Sequence, residues 1–173
     1  MVHLFLASAA AWLGACSPDL NWRDVGFDGS NLKVQLPCKP DRVTRPVPLG
    51  GHPVQLQVAG CQAGSAMVAV MTANLPAGAD PNALMQGWQQ ATLSNIEAKD
   101  VHSQPWERPG MLPLPAAQRI AAQGVRSDGQ PVAAQAVWGA IIEGEHVRLV
   151  HATVYDQKIA PELASTLFDG IRP

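Results

Sequence analysis

Alternating apolar and polar residues predict that strands make up much of the chain. Residues 31–36 and 53–59 alternate as half-buried strands do, and residues 66–73 are apolar on both faces, which is typical of a central strand. In total, six segments are predicted as strands: 31–36, 53–59, 66–73, 117–125, 132–142 and 146–155. Asp128-Gly129 and Gly144 mark tight turns between the last three segments, so we expect those strands to form an antiparallel meander.

Two helices interrupt the strands. Residues 80–96 repeat apolar side chains at helical spacing, with Asp80 as the N-cap and Pro81 at the first helical position. A shorter helix is predicted at 160–169, with Pro161 at its start. The order is therefore β-β-β-α-β-β-β-α. Because short turns join most of the strands, the predicted class is α+β with a largely antiparallel sheet.

The N-terminus is typical of a targeting segment. Residues 4–13 are apolar, and this run is too short for a bilayer span of about 20 residues but fits the core of a secretory signal. The following Gly14-Ala15-Cys16 resembles the bacterial lipobox, in which the cysteine thiol receives a diacylglycerol and the preceding peptide is removed. Met1-Val2-His3 departs from that pattern, since it carries no Lys or Arg. The alternative is a buried N-terminal helix with a core cysteine.

These features divide the chain into three parts. We predict a lipoprotein signal peptide over residues 1–15, a tether over 16–30 and a single α+β domain over 31–173. The lipid on Cys16 is the expected membrane anchor. Ser17 follows the cysteine, and Asp at that position resembles a signal for retention in the inner membrane, so the outer membrane is favoured. The predicted location is the bacterial cell envelope, with the domain facing the periplasm.

Two cysteines remain once Cys16 is assigned to the lipid, namely Cys38 and Cys61. Disulfides are typical of oxidising compartments such as the periplasm. If residues 31–36 and 53–59 form a hairpin about residues 49–50, position 38 falls opposite position 61, close enough to bridge. We therefore predict a Cys38–Cys61 disulfide. The alternatives are two free buried thiols and a metal-binding pair, for which no further ligand stands at suitable spacing.

Composition and charge exclude several classes of protein. The chain has 12 Lys and Arg against 14 Asp and Glu, a net charge of −2, whereas a nucleic-acid-binding protein usually has a basic excess. Hydrophobic residues make up 47% of the chain, which argues against disorder over its whole length. No nucleic-acid partner is predicted.

No motif in the sequence predicts catalysis. The chain lacks a Gly-x-Ser-x-Gly elbow, a nucleotide-binding glycine loop, His-Glu-x-x-His and Cys-x-x-Cys. His146 and His151 stand five residues apart on one predicted strand, so they face opposite sides and cannot share a metal ion. We expect His146 at the surface and His151 half-buried beside Tyr155. No catalytic residue, metal or cofactor is predicted.

A proline-rich segment is the main candidate for binding a protein partner. Residues 104–115 contain four prolines, which exclude a regular helix or an interior strand. Its candidate contact residues are Trp106, Met111, Leu112 and Leu114, because aromatic, Met and other apolar side chains on a stiff loop suit a protein interface. The alternative is that the segment crosses the sheet edge and tucks these side chains into the core.

A small basic group lies near the first turn. It consists of Lys39, Arg42 and Arg45, and Asp41 partly offsets its charge. One interpretation is contact with anionic lipid headgroups or an acidic partner. The other is a solvated loop with ordinary charged side chains.

The order of elements and two short motifs resemble the PsbP-like superfamily, which includes DcrB-like bacterial lipoproteins. The first motif ends the opening strand, Leu36-Pro37-Cys38-Lys39-Pro40, and the second ends the closing helix, Leu167-Phe168-Asp169-Gly170-Ile171. The resemblance covers residues 27–172. It implies an α-β-α sandwich around an antiparallel sheet, and a fold used mostly for docking to other proteins. It transfers no functional residue, because the family has no shared catalytic signature.

We therefore expect a lipid-anchored envelope lipoprotein with a non-catalytic accessory domain that binds an envelope protein. One alternative is a periplasmic protein that binds a small ligand or a metal, with a pocket between the sheet and helix 80–96 lined by Trp88. Another is an uncharacterised enzyme, whose His or carboxylate side chains would converge in one cleft.

Overall fold

The computed structural model describes residues 20–173, so the predicted signal peptide and the predicted lipidation at Cys16 lie outside the described residues. Nine strands and two helices follow one another in this part of the chain. They are β1 Arg23–Gly26, β2 Lys33–Leu36, β3 Asp41–Leu49, β4 His52–Ala63, β5 Ala66–Asn74, α1 Pro81–Asn95, β6 Lys99–Pro105, β7 Gln118–Val125, β8 Pro131–Glu143, β9 His146–Asp156 and α2 Pro161–Asp169.

Seven of these strands form one antiparallel sheet in the order β3-β4-β5-β9-β8-β7-β6, and β1 pairs with β2 in a separate small sheet. The predicted α+β class with an antiparallel sheet is confirmed. The helix predicted at 80–96 is α1, and the carboxylate of Asp80 accepts a hydrogen bond from the N–H of Asn82 at 3.0 Å as its N-cap.

A different layer covers each face of the large sheet. On one side, the α1 face, Leu84, Met85 and Trp88 of the helix pack on the strands. On the other, the α2 face, Phe168 of α2 and Leu36 of the small sheet are buried against them. The helices therefore lie on opposite sides of the sheet. No helix in residues 20–173 is both long and apolar enough to cross a membrane.

Three strands were not expected: β1, β3 and β6. β3 and β6 are the two edges of the large sheet, and most of their side chains are exposed, so a clear hydrophobic alternation is missing. Pro46 and Pro48 within β3 also count against a strand in the sequence, although an edge strand tolerates them. The pairing predicted for the first two segments is wrong: β2 pairs with β1, and β4 pairs with β3 around Gly50-Gly51.

The predicted disulfide is present between Cys38 and Cys61, whose Cα atoms lie 5.9 Å apart. The geometry used to predict it differs from the observed one, because Cys38 is in the bend between β2 and β3 and not in a strand opposite β4. Cys61 is in β4, so the bond ties the end of the small sheet to the large sheet.

An ion pair between the buried Arg148 and the half-buried Glu143 fixes the chain just before β2. Arg148 is 3% exposed and pairs with Glu143 across the β8–β9 turn, and it also donates to the carbonyl of Gly29 at 2.9 Å. Glu143 accepts hydrogen bonds from the Ser30 hydroxyl and from the N–H of Asn31. Desolvation raises the pKa of Glu143, but these hydrogen bonds and the charge of Arg148 outweigh it, so the pKa lies below its ordinary value. The carboxylate therefore stays charged and holds the chain against the β8–β9 turn.

The disulfide position predicts a large stability effect. The double variant Cys38→Ser, Cys61→Ser should lose about 3 kcal/mol of unfolding free energy. The bond joins cysteines 23 residues apart in sequence, and it therefore lowers the conformational entropy of the unfolded chain. Chemical denaturation of the oxidised, reduced and double-variant proteins measures this. Reduction should destabilise the natural protein and leave the double variant unchanged; equal stability of all three forms would contradict the prediction.

Candidate functional site

The proline-rich segment lies along the edge of β8, beyond the point where β7 begins to pair with it. β7 pairs with β8 at Arg119 and Val137, and further along the strand Met111 forms a bridge with Ile141. The N–H of Leu112 donates to the carbonyl of Ala140 at 2.8 Å. The segment therefore satisfies backbone groups that would otherwise be an open edge of the sheet.

Side-chain hydrogen bonds join this segment and the next residue, Ala116, to both helices. The N–H of Ala116 donates to the side-chain oxygen of Asn82 at 3.1 Å, and Gln89 donates to the carbonyl of Ala116 at 2.8 Å. At its other end Arg108 pairs with Asp169 at the end of α2, at 2.8 Å. These contacts, together with the prolines, fix the position of the segment on the domain.

Trp106, a predicted partner-binding residue, lies largely within the protein. Its side chain is 8% exposed and belongs to the cluster on the α2 face. It packs over Gly139, where an added Cβ would lie 2.9 Å from a ring carbon of Trp106 and 3.2 Å from the end of Met111. Gly139 therefore provides the space in which these two side chains pack. Trp106 is therefore tucked into the core, which is the alternative to partner binding given for this segment in the sequence analysis.

The other predicted contact residues are half-buried, and an unpredicted residue joins them. Leu112 and Leu114 pack at the margin of the cluster on the α1 face. Because Met111 pairs with Ile141, alternation places Leu112 and Ile142 together on the α1 face. Ile142 is 62% exposed, the most exposed of the large hydrophobic residues in the described chain. We call Leu112, Leu114 and Ile142 the apolar edge surface.

A cavity of about 260 Å³ lies between α1 and the sheet, where the small-ligand alternative places one. Trp88 on α1 and His151 on β9 form part of its wall, and Tyr155 and Met71 extend it along the sheet. Arg45 of the predicted basic group also lines it, from edge strand β3. Of the other two basic residues, Arg42 donates to the carbonyl of Gly26 at 2.7 Å and Lys39 is exposed. The group therefore does not act as one patch.

His151 is buried more deeply than the sequence indicates. It is 1% exposed and not half-buried as expected, with its ring stacked on Trp138 at a centroid distance of 4.2 Å and edge-on to Trp88 at 5.2 Å. Nδ1 lies 3.1 Å from the carbonyl of Val137, which can only accept, so Nδ1 carries the proton. Desolvation lowers the pKa of His151 to about 4, and the imidazole is neutral at neutral pH.

Trp138 contributes a second unusual polar group to this stack. Its side chain is fully buried, and its indole N–H has no hydrogen-bond partner among residues 20–173. Buried donors without partners are uncommon in native proteins. The neutral imidazole in the cavity wall is therefore stacked on a buried indole behind it, and that indole N–H has no partner among residues 20–173.

Larger depressions in the surface have a different character. Those of about 340, 440 and 470 Å³ lie along strand ends, turns and the proline-rich segment, and none of the three is lined by Trp, Tyr or Phe. Within residues 20–173, no three His, Cys, Asp or Glu side chains are grouped as metal ligands. His146 is at the surface, as expected.

No protein-family model matches the chain, and no curated protein matches its sequence.

The pKa of His151 predicts a specific dependence of stability on pH. The unfolded histidine takes up a proton between pH 6.5 and about 4 and the folded one does not, so unfolding is favoured as the pH falls through this window. Between pH 7 and pH 5 this linkage should remove about 2 kcal/mol of unfolding free energy. Chemical denaturation at both pH values measures it.

The matched variants are His151→Gln, which cannot titrate, and His146→Gln at the surface. The His151→Gln protein should lose less stability between the two pH values than the natural protein, and His146→Gln should follow the natural protein. Parallel pH dependence in all three proteins would show that His151 does not carry the effect.

Proposed function

We propose that the chain is a lipid-anchored lipoprotein of the bacterial envelope whose domain binds a protein partner and does not act as a catalyst. The lipobox-like Gly14-Ala15-Cys16 supports the anchor, and the Cys38–Cys61 disulfide supports an oxidising compartment. The resemblance to PsbP-like proteins supports a role in docking. Ser17 supports sorting to the outer membrane, with the domain facing the periplasm.

The observation that carries the binding proposal is the apolar edge surface. Ile142 is 62% exposed on the same face as the half-buried Leu112 and Leu114, and hydrogen bonds to β8 and to both helices hold the surrounding backbone. Exposed apolar residues on a fixed, hydrogen-bonded frame are typical of protein interfaces, because ordering such a surface on binding costs little entropy. Trp106 lies on the α2 face, packed over Gly139, and is not part of this surface.

The position of the anchor supports a partner near the membrane. Leu20 is the first described residue, and the N–H of Asn21 already donates to the carbonyl of Pro37 at 2.6 Å. Four peptide units separate Cys16 from Leu20, and they span at most about 15 Å. A lipid on Cys16 therefore keeps the domain close to the bilayer, where an envelope protein is within reach.

Replacement of the lipidated cysteine tests the anchor. The Cys16→Ala protein should appear in the soluble fraction of cell envelopes, because the diacylglycerol can no longer be attached. Fractionation with and without detergent measures this, with Ser17→Ala as a control that keeps the thiol. If Cys16→Ala sediments with membranes as the natural protein does, the anchor is wrong.

Site-specific crosslinking tests the partner. A photo-crosslinking residue at position 142 of the full chain should capture one protein in intact cells, and Leu112→Asp should reduce its yield at least tenfold, since a charge at an apolar contact cannot be desolvated cheaply. Position 101 is the control: Val101 is 45% exposed and lies on edge strand β6, which is separated from β8 by β7.

Three results would contradict the proposed surface. They are no crosslinked protein at position 142, the same protein captured equally at position 101, and a yield that is unchanged in Leu112→Asp. The melting temperature of each variant shows that the domain remains folded.

A further inference from the structure

The cavity under α1 is independent of the apolar edge surface, and its walls have the features of a built binding site. Trp88 and His151 present aromatic surface to it, and both are almost fully buried. The imidazole is held by its hydrogen bond to Val137 and by its stack on Trp138. A ligand entering this cavity therefore meets aromatic walls whose orientation is already fixed, so little ordering entropy is lost on binding.

The charge on the cavity has one sign. Arg45 lines it, and no Asp or Glu in the described part of the chain does. Arg45 pairs with Leu56 in the β3–β4 ladder, which sets its side chain on the α1 face, and it makes no ion pair with any residue from 20 to 173. A guanidinium beside an apolar cavity favours an anionic group, above all a carboxylate, with which it can form two parallel hydrogen bonds. Asn95, at the end of α1, adds a neutral polar group to the wall.

The size of the cavity limits the ligand. Its volume is about 260 Å³, just below the range of about 300–1,000 Å³ that is typical of small-molecule sites. Allowing about 30 Å³ for each water-sized group, it holds on the order of ten non-hydrogen atoms. An aromatic ring with a short carboxylate side chain has this size, and the aromatic side chains in the wall, Trp88, His151 and Tyr155, can pack against such a ring.

We propose that the cavity between α1 and the sheet binds a small aromatic carboxylate, with the ring against Trp88 and His151 and the carboxylate on Arg45. Ligand binding at this site would be a second function of the domain, and it does not depend on the protein partner proposed above. It also gives a role to Arg45, which the sequence indicates only as one member of a basic group.

The test uses phenylacetate as the probe and phenylacetamide as its uncharged counterpart. Titration of the full chain with phenylacetate should change the tryptophan emission in a saturable way and raise the melting temperature, because a ligand bound only to the folded protein stabilises it. Phenylacetamide should bind about five- to tenfold more weakly, since it lacks the charge that pairs with Arg45.

Two pairs of variants separate the charge from the cavity. Arg45→Gln should weaken phenylacetate binding about five- to tenfold and leave phenylacetamide unchanged, whereas Lys39→Gln removes one charge elsewhere and should change neither. Ala91 is exposed at the cavity wall, so Ala91→Leu should abolish binding of both probes. Gln90→Leu adds the same apolar group to α1 outside the cavity and should bind both normally.

Three results would overturn the proposal. If neither probe binds at concentrations up to roughly 10 mM, the cavity does not take this class of ligand. If both probes bind equally and Arg45→Gln changes nothing, the carboxylate is not recognised. If Ala91→Leu binds as tightly as Gln90→Leu, the ligand occupies another place on the protein.

Discussion

The structure depends on the need to keep both faces of its two central strands away from water. β8 and β9 lie in the middle of the large sheet, and nearly all of their side chains are buried. One helix can cover only one face. The chain meets this constraint by placing α1 on one side and α2 with the small β1–β2 sheet on the other. The disulfide and the Glu143–Arg148 ion pair both join neighbouring layers.

The same constraint explains the polar groups within the core. Thr72 donates to the carbonyl of Leu149 at 2.8 Å, His151 is bonded to Val137, and Asp156 accepts from Ser65 at 2.8 Å. Each is buried with a partner, as a strand covered on both faces requires. Among residues 20–173, two buried polar atoms have no hydrogen-bond partner, Nε of Arg108 and the indole N–H of Trp138. The Trp138 ring is stacked on His151, which lines the cavity under α1, so one of the two lies beside the candidate ligand site.

Much of the fold could be predicted from the sequence, because its central elements carry a strong pattern. The apolar run of β5, the turns of the β7–β9 meander and the Asp80 cap of α1 are local features, and the structure contains all three. Edge strands β3 and β6 were missed because most of their side chains are exposed. Such strands need no alternation of apolar and polar residues. The disulfide was predicted correctly from the number of cysteines and the expected oxidising compartment. The hairpin register that was also used to predict it was wrong.

The candidate sites were less predictable, since each depends on contacts between distant parts of the chain. Alternation along β9 assigns His151 to a face, but only the packing of α1 and the stack on Trp138 bury it completely. The proline-rich segment was recognised by composition, yet its burial of Trp106 depends on the absence of a side chain at Gly139. Ile142 lies in an apolar run that predicts a buried strand, and its exposure reflects how far the covering layers extend.

The central claim is that a lipid on Cys16 holds a disulfide-stabilised binding domain at the envelope membrane. Intact-mass and peptide mass spectrometry of the protein purified from cell envelopes tests this claim most directly. The account predicts a chain that begins at Cys16, carries a diacylglycerol on that residue and contains Cys38 linked to Cys61. A chain that retains the residues before Cys16, with an unmodified Cys16 and free thiols at Cys38 and Cys61, would contradict it.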